Sequence, residues 1–279
     1  MRNRINLSIV TITLNNFEEL LRTIESVRDI DDCENIIING GKCPRTLEFL
    51  QGYSGKSISE PDQGIADAFN KGIQHSNGDA IIMLNSGDSL IDRTYPSRAS
   101  QILDQYPEID FVHADLIFED KLIGPYVMRP LRSENYLSPS IGRGMPYRHQ
   151  SMVVRKKIYD RVGLFNLAYT CCDYDWICRW ELGLKKSKGK AYYLKGNPVI
   201  IMDGGGISSR NESKLILEAF QIILKHNANL GFLKKLITYS ALFKRVFLYS
   251  CRFFIVRLGY VHILAKIKRL KYFKYMNNP

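Results

Sequence analysis

The sequence lacks a cysteine pattern that could bind zinc or form a disulfide framework. Six cysteines occur among 279 residues, none belongs to a C-x-x-C pair, and no closely spaced histidine pair accompanies them. Proteins held together by structural zinc or disulfides show such spacings. The cysteines therefore favour a reducing compartment, and we expect only packing roles for Cys171 and Cys172.

Long uncharged hydrophobic runs are missing as well. No stretch approaches the about 18 apolar residues that a membrane-spanning helix needs. The N-terminal segment combines basic and apolar residues, but Ser8, Thr11 and Thr13 interrupt its apolar part and no small-residue cleavage site follows. This pattern predicts a β-strand rather than a signal peptide, and with it a cytoplasmic protein.

Two nucleotide-binding motifs are also absent. No G-x-G-x-x-G follows the first predicted strand, and no G-x-x-x-x-G-K-[ST] occurs in the chain. The glycines of these motifs let the backbone approach a pyrophosphate or a triphosphate. Their absence disfavours a dinucleotide-dependent enzyme and a P-loop nucleotidase.

Acidic residues are absent from the last fifth of the chain. Residues 221–279 contain 12 Lys and Arg and no Asp or Glu, whereas residues 1–220 contain 27 basic and 28 acidic residues. The formal charge of +11 therefore lies in a basic tail that follows a nearly neutral body. Such an asymmetry points to an anionic partner surface, either a nucleic acid or a membrane.

The basic tail is also rich in large apolar residues. Phe243, Phe247, Phe254 and many aliphatic residues alternate with its cations. Nucleic-acid-binding tails are usually basic and polar, whereas helices in a membrane interface combine bulky apolar groups with Lys and Arg. We therefore expect amphipathic helices over 230–274 that bind an anionic membrane surface, and no nucleic acid. The alternative is that these helices pack on the body with their cations in solvent.

Hydrophobic periodicity in the body predicts an α/β fold. Largely apolar strands at 7–14, 36–39 and 80–84, and a further predicted strand at 56–59, alternate with helical patterns. This alternation is typical of a mostly parallel sheet covered by helices on both faces. Beyond residue 95 the order is mixed, with strand patterns at 110–118, 123–128, 190–194 and 198–202. We predict one domain over 1–212, with a donor-binding half over about 1–95 and an acceptor half over 96–212, and a separate tail over 213–279.

Polar side chains follow the predicted strands. Asn15, Asn39, Asp62 and Asp88 each follow a predicted strand, and in three of the four cases a glycine lies within two residues. Ligands of open α/β sheets bind beyond the carboxyl ends of the strands. A carboxylate flanked by small residues at such a position suits a divalent cation that is bound to phosphates.

Five segments, in this order along the chain, resemble one known family. They are S-E-P-D-Q-G-I-A-D-A-F-N-K-G-I (59–73), I-I-M-L-N-S-G-D (81–88), R-H-Q-S-M-V-V-R (148–155), C-C-D-Y-D-W-I-C-R-W (171–180) and D-G-G-G-I-S-S (203–209). Together they resemble the inverting family-2 glycosyltransferases of GT-A fold, and among these the bacterial branch that acts in colanic-acid and O-antigen assembly. The resemblance covers residues 5–212 and excludes the basic tail.

The resemblance implies an enzyme of GT-A (Rossmann-like) fold that moves a sugar, of the hexosyl type, from a UDP-sugar to a lipid-linked or oligosaccharide acceptor. It implies Mg²⁺ or Mn²⁺ as cofactor and, with the basic tail, a peripheral position on the cytoplasmic face of a bacterial cell membrane. The alternative is a catalytically inactive GT-A protein that recruits partners to the membrane. Because Asp88 and Asp173 are both present, nothing in the sequence enforces inactivity.

The resemblance also implies roles for individual residues. Asp88 would be the metal ligand and Asp173 the general base, with Asp175 as the fallback because it points about 200° away around the same helix. The other residues predicted to bind the donor are Thr11, Asn39, Asp62, Gly64, Asn70, Lys71, Ser86, Gly87 and His149.

Two positions depart from the family. Its second strand ends in Asp, which contacts the uracil, and here that position is Asn39. An amide also hydrogen-bonds a uracil edge, so uridine stays the expected nucleoside. The family's D-x-D is reduced to Ser86-Gly87-Asp88, which leaves one carboxylate for the metal.

Each predicted site residue also has a purely structural interpretation. Asp88 could stabilise a turn, and Asp173 could interact with the dipole of the helix that it begins. Asn70 and Lys71 could be helix surface, and His149 could be a structural histidine.

Overall fold

The computed structural model describes residues 5–130, 145–187, 190–206, 212–227, 232–260 and 266. The strands are Leu7–Thr13 (β1), Cys33–Asn39 (β2), Lys56–Ser59 (β3), Ala80–Asn85 (β4), Ser89–Leu90 (β5), Ile109–His113 (β6), Leu116–Asp120 (β7), Gly124–Met128 (β8), Val153–Arg155 (β9), Lys190–Tyr193 (β10) and Ile200–Asp203 (β11). The helices are Phe17–Val27 (α1), Pro44–Gln51 (α2), Ile65–His75 (α3), Tyr95–Gln105 (α4), Lys156–Val162 (α5), Cys172–Ser187 (α6), Glu212–Asn227 (α7) and Phe232–Arg257 (α8), and His149–Ser151 form a 3₁₀ turn.

The main sheet has seven strands in the order β10-β6-β9-β4-β1-β2-β3. The strands β4, β1, β2 and β3 pair in parallel, as do β6 and β10, whereas β9 runs antiparallel to both β4 and β6. The predicted α/β fold with a mostly parallel central sheet is therefore confirmed.

Both faces of the main sheet are buried. Along β1, Val10 and Ile12 pack into one apolar cluster, and Leu7 and Ile9 pack into another. Successive residues of a strand point to opposite faces, so a strand that is covered on both sides is apolar throughout. This is why the strands appear in the sequence as continuous apolar runs.

The segment predicted as one strand at 110–118 forms two strands in two different sheets. β6 belongs to the main sheet, and β7 belongs to a second sheet of order β5-β11-β7-β8. The chain turns at Asp115, which is buried and accepts a hydrogen bond from the Tyr193 hydroxyl over 2.8 Å. Apolar residues lie on both sides of the turn and no glycine or proline marks it, so periodicity alone could not locate it.

Helix α7 is packed against α6. Its Ala219, Ile222 and Ile223 form a buried cluster with Tyr174 and Cys178 of α6. Helix α7 thus uses an apolar face to join the body, and the boundary between body and tail at residues 212 and 213 stays a prediction.

Helix α8 carries most of the basic tail that the structure describes. The prediction of helices over 230–274 can be compared with the structure only at 232–260 and 266, since its other residues lie outside the described ranges. Over 232–257 the chain is helical, as predicted. In the ranges described, no helix has the length and apolar character that crossing a membrane would require.

Candidate functional site

His149 and Asp173 form a hydrogen-bonded pair. The 3₁₀ turn just before β9 presents His149, and the first turn of α6 presents Asp173. Nδ1 of the histidine lies 3.0 Å from Oδ2 of the aspartate. Oδ1 of Asp173 accepts the Tyr174 backbone N–H over 2.8 Å. Burial by itself would raise the pKa of Asp173, but the hydrogen bond and the charge of His149 bring that pKa below its usual value. The carboxylate is therefore ionised at neutral pH.

Asp175 lies on another side of α6 and is fully buried. Its Oδ2 accepts Nε–H of Arg179 over 2.8 Å, and its Oδ1 lies 2.9 Å from Nε2 of His226 on α7. Glu218 of α7 makes a second connection, since its carboxylate accepts the backbone N–H groups of Thr170 and Cys171 just before α6. Asp175 and Glu218 thus fix α7 to α6, a role that the sequence did not reveal.

Asp88 follows β4 in a tight turn and is 2% exposed. Its Oδ2 accepts the Asn85 N–H over 2.9 Å, and its Oδ1 accepts the Asp203 N–H over 3.1 Å. Gly87 has φ of +106°, a conformation that favours glycine, and its N–H donates to the Thr23 hydroxyl. Burial raises the pKa of Asp88 to about 7, more than these hydrogen bonds lower it.

Asp203 is a site residue that sequence reasoning missed. A Cβ added at Gly87 would come within 3.0 Å of Oδ2 of Asp203, so this carboxylate lies against the turn before Asp88. The charge of Asp203 contributes to the raised pKa of Asp88, and the charge of His149 opposes it. The sequence feature that could have indicated Asp203 is its position at the start of the D-G-G-G segment.

Asp88 and the Oδ2 side of Asp203 lie at the same turn, while Oδ1 of Asp203 is paired with the Lys121 ammonium over 2.9 Å. Mg²⁺ in nucleotide sites is commonly bound by one or two carboxylates, with phosphate and water completing the shell. A divalent ion would also offset the burial of charge that raises the pKa of Asp88. These residues therefore fit an ion that is bound jointly with a diphosphate. Across the described residues, no group of three or more His, Cys, Asp or Glu side chains is arranged to hold a metal alone.

A cavity of about 630 Å³ opens beside the His149–Asp173 pair. Both residues line it, together with Gln150, and most of its remaining wall is apolar. The wall comes from the second sheet and from α7 and α8. Asp88 and the residues around Asp62 do not line this cavity.

The turn before α3 brings Asp62 next to the loop after β2. A Cβ at Gly40 would overlap the Asp62 carboxylate, so only glycine allows this approach. Lys71 lies 2.9 Å from Asp62, 3.1 Å from Glu60 and 3.3 Å from Asp67. Burial alone would lower the pKa of Lys71, but these three carboxylates raise it above its usual value. The lysine thus stabilises the acidic turn, and its ammonium is already paired.

Gly64 lies in the turn between β3 and α3, and Ser86 directly follows β4. Gly64 precedes α3 with φ of +120°, and nothing lies within 4 Å of a Cβ built there, so the backbone is open to a ligand. The Ser86 hydroxyl lies 3.4 Å from the Asn16 carbonyl oxygen.

Three predicted donor-site residues are buried and directed into the protein. Thr11 is 1% exposed in the interior of β1 rather than at its end. The Asn39 amide is fully buried, donating to the Ser59 hydroxyl and the Gly41 carbonyl and accepting the Gly41 N–H. The side-chain amide of Asn70 donates to the Phe165 carbonyl and accepts the Phe165 N–H. Thr11 is thus buried and the Asn70 amide is already paired, while the donor contacts of both residues stay predictions. Asn39 shapes the loop after β2, and its contact with a base stays a prediction.

Comparison with known proteins adds independent information. Among curated proteins, the chain is similar to a PGL/p-HBAD biosynthesis glycosyltransferase of Mycobacterium tuberculosis, at 25% identity over 228 residues that cover 76% of this chain and 82% of the relative. A glycosyltransferase of the same species, described as uncharacterized, is 38% identical over 87 residues, which cover 29% of this chain and 33% of that protein.

Solved structures show the same fold. The crystal structure of S. aureus TarS residues 1–349 has a TM-score of 0.61 and 14% identity, covering 88% of this chain and 72% of that chain. The same TarS segment in complex with UDP-GlcNAc has a TM-score of 0.62 and 14% identity, covering 82% and 69%.

The family profile described as Glycosyl transferase family 2 matches residues 8–163. The match spans more than half of the chain and extends from β1 through α5, so it includes the strand ends at which Asp62 and Asp88 lie. This chain therefore belongs to glycosyl transferase family 2.

Proposed function

We propose that the protein transfers a sugar, with inversion, from a UDP-sugar to a lipid-linked glycan during bacterial surface polysaccharide synthesis. The observation that carries the proposal is the His149–Asp173 pair, which lines a cavity and lies within electrostatic reach of Asp88. A proton acceptor, an acceptor-sized cavity and a carboxylate pair for a diphosphate are thus close together, as glycosyl transfer requires.

On the donor side, UDP is supported by the fold. TarS, which shares this fold, has been crystallised with UDP-GlcNAc. In our chain the loop after β2 and the turn containing Asp62 meet at the carboxyl edge of the sheet, where ligands of open α/β sheets bind. We assign the nucleoside to this edge and the diphosphate to the turn at Asp88.

On the acceptor side, Asp173 removes the proton. The acceptor hydroxyl attacks the anomeric carbon from the face opposite the diphosphate, the bond from that carbon to the diphosphate oxygen breaks, and the hydroxyl proton passes to Oδ2 or Oδ1 of Asp173. The pKa of Asp173 is held low by His149, so the residue is ionised and ready to accept the proton. A Mg²⁺ or Mn²⁺ ion held by Asp88 and Asp203 would supply positive charge to the leaving diphosphate.

The proposal is tested by assaying the full-length protein with a panel of UDP-sugars, Mn²⁺ and lipid-linked or oligosaccharide acceptors. We expect UDP release together with a product whose mass has increased by one hexosyl unit, and NMR should show the anomeric configuration opposite to that of the donor. Absence of donor binding and of turnover across the panel would contradict the proposal and favour the inactive, membrane-recruited alternative.

We further propose that α8 places the enzyme on the cytoplasmic face of the cell membrane. Leu236, Phe243, Phe247 and Phe254 repeat at intervals of seven, four and seven residues, so they share one face of the helix. All four are more than half exposed, and Phe243 is 75% exposed. Cations flank this apolar face, and each contributes about 1 kcal/mol near an anionic bilayer. An apolar face that is exposed and flanked by cations suits a helix lying in the membrane interface.

A double variant, Phe243→Ser with Phe247→Ser, should bind anionic vesicles at least about tenfold more weakly than the unchanged protein. Burying each ring in the bilayer contributes about 1.5–3 kcal/mol, and the change removes both rings. The measurement is co-sedimentation with vesicles that contain phosphatidylglycerol, and high salt should weaken binding of the unchanged protein without abolishing it.

The matched control changes two exposed leucines of the body, Leu47→Ser with Leu167→Ser. This control should sediment with vesicles as the unchanged protein does. If both double variants sediment equally well, α8 does not bind the membrane.

A further inference from the structure

The cavity beside Asp173 has apolar walls around the position where the acceptor must react. We propose that this cavity binds an apolar group of the acceptor. The acceptor is therefore an amphiphile, in which a hydrocarbon or aromatic group lies close to the hydroxyl that reacts. The proposal rests on the proposed function, because it assigns the acceptor hydroxyl to Asp173.

The apolar wall is contributed by three separate parts of the fold. The second sheet, α7 and α8 each supply side chains to it, and none of the following is fully buried: Phe118, Met128, Met202, Leu215, Ile216 and Leu248. Apolar surface that stays accessible inside a cavity is stabilised when a ligand covers it. The wall is thus suited to a hydrocarbon or aromatic group.

The same cavity is also lined by polar groups. They include His149, Gln150 and Asp173 together with the charged Asp120, Lys121 and Arg148, and Gln150 is 1% exposed. Its Nε2 is a buried donor without a hydrogen-bond partner in the structure, and a buried donor of this kind costs free energy unless a ligand satisfies it. A glycan that filled the whole cavity would lose hydrogen bonds along the apolar wall. A cavity that combines polar groups with an apolar wall matches an amphiphile.

The size and position of the cavity agree with this occupant. Its volume of about 630 Å³ falls within the ~300–1,000 Å³ typical of small-molecule sites. Leu248 belongs to α8, the helix whose exposed apolar face we assign to the membrane. A lipid-linked acceptor could therefore pass from the bilayer surface to Asp173 along one helix.

The test uses alkyl β-glucosides with chains of one, four, six and eight carbons, titrated calorimetrically into the full-length protein below their micelle concentrations. We expect the dissociation constant to fall by up to roughly fourfold for each added methylene that is buried. In Leu215→Gln this dependence should flatten, so that the ratio of octyl to methyl affinity falls at least about tenfold.

Leu217→Gln is the matched control, since Leu217 lies on the same helix but is 58% exposed and does not line the cavity. Leu217→Gln should keep the chain-length dependence of the unchanged protein. If alkyl chains bound to the outer surface of α7 instead of the cavity, this variant would lose that dependence. Leu248→Gln provides a second cavity variant at a position that is 55% exposed, where a polar side chain is tolerated.

The proposal would be overturned if the affinity did not depend on the length of the alkyl chain. It would also be overturned if Leu215→Gln and Leu248→Gln both kept the dependence of the unchanged protein. Binding of UDP to the same preparations separates this result from failure of the proposed function. If UDP binds and sugar is transferred without any chain-length dependence, only the apolar acceptor site is wrong. If UDP does not bind, the proposed function is wrong, and the assignment of the occupant as an acceptor is wrong with it.

Discussion

Replacing Asp173 with asparagine should lower the rate of sugar transfer by about 10²–10⁴-fold while UDP-sugar binding stays unchanged. Asparagine keeps the size of the side chain and an oxygen that can face Nδ1 of His149, which lies 3.0 Å from the carboxylate. It cannot accept a proton at neutral pH. The free energy of unfolding should change little, since a quarter of the Asp173 side chain is exposed. Single-turnover kinetics with a saturating donor would measure the effect on the chemical step.

Two other aspartates serve as controls for Asp173. Asp175→Ala should destabilise the protein by about 3 kcal/mol, because it leaves Arg179 and His226 facing each other without their buried carboxylate. Asp160→Asn, at an exposed position on α5, should change neither rate nor stability. Near-normal turnover by Asp173→Asn would remove Asp173 as the base. If Asp175→Asn were then folded but inactive, Asp175 would be the general base.

Replacing Asp88 with asparagine should abolish most of the stimulation of transfer by Mn²⁺ and lower the maximal rate by about 10²–10³-fold, the usual effect of removing one electrostatic contact to a leaving group. Alanine is a poor choice here, because the structure shows that both carboxylate oxygens accept backbone N–H groups, from Asn85 and Asp203. Asparagine retains one acceptor, so we expect a loss of stability of about 1–3 kcal/mol rather than unfolding. The measurement is the transfer rate as a function of Mn²⁺ concentration.

The control for Asp88 is another buried carboxylate that is distant from the cavity. Asp110 is 4% exposed and accepts the Trp180 indole N–H over 2.7 Å. Asp110→Asn should also lower stability, but its Mn²⁺ dependence should equal that of the unchanged protein. A normal Mn²⁺ titration and normal turnover in Asp88→Asn would exclude Asp88 from metal binding.

Sequence periodicity predicted most strands and helices of the body, but it missed the short strands β5 and β9 and joined β6 to β7. β3 was predicted at 56–59 and is observed at Lys56–Ser59, and the helix expected near residue 173 begins at Cys172. Such elements follow from apolar residues close together in sequence, which the chain displays directly. The turn at Asp115 was missed because buried strands on both sides of it are apolar.

The candidate site was predictable only in part. Five ordered segments located Asp62, Asp88, His149 and Asp173, and the structure places the last two in contact. It also shows that the Lys71 ammonium, expected to meet the donor, is already paired with three carboxylates. The position of Asp203 beside Gly87 could not be read from a list of motifs.

The sequence by itself determined most of the longer strands and helices, the family and the excess of cations in the tail, since each depends on which residues are neighbours along the chain. Tertiary structure decided which polar side chains remain available to a ligand. Asn70 is bonded to a backbone 95 residues away, and Asp88 to one 115 residues away. A polar group that is buried must find a partner, and that partner is set by how the segments pack rather than by local sequence. For this reason one aspartate of α6, Asp175, connects that helix to α7, whereas another, Asp173, lines the cavity.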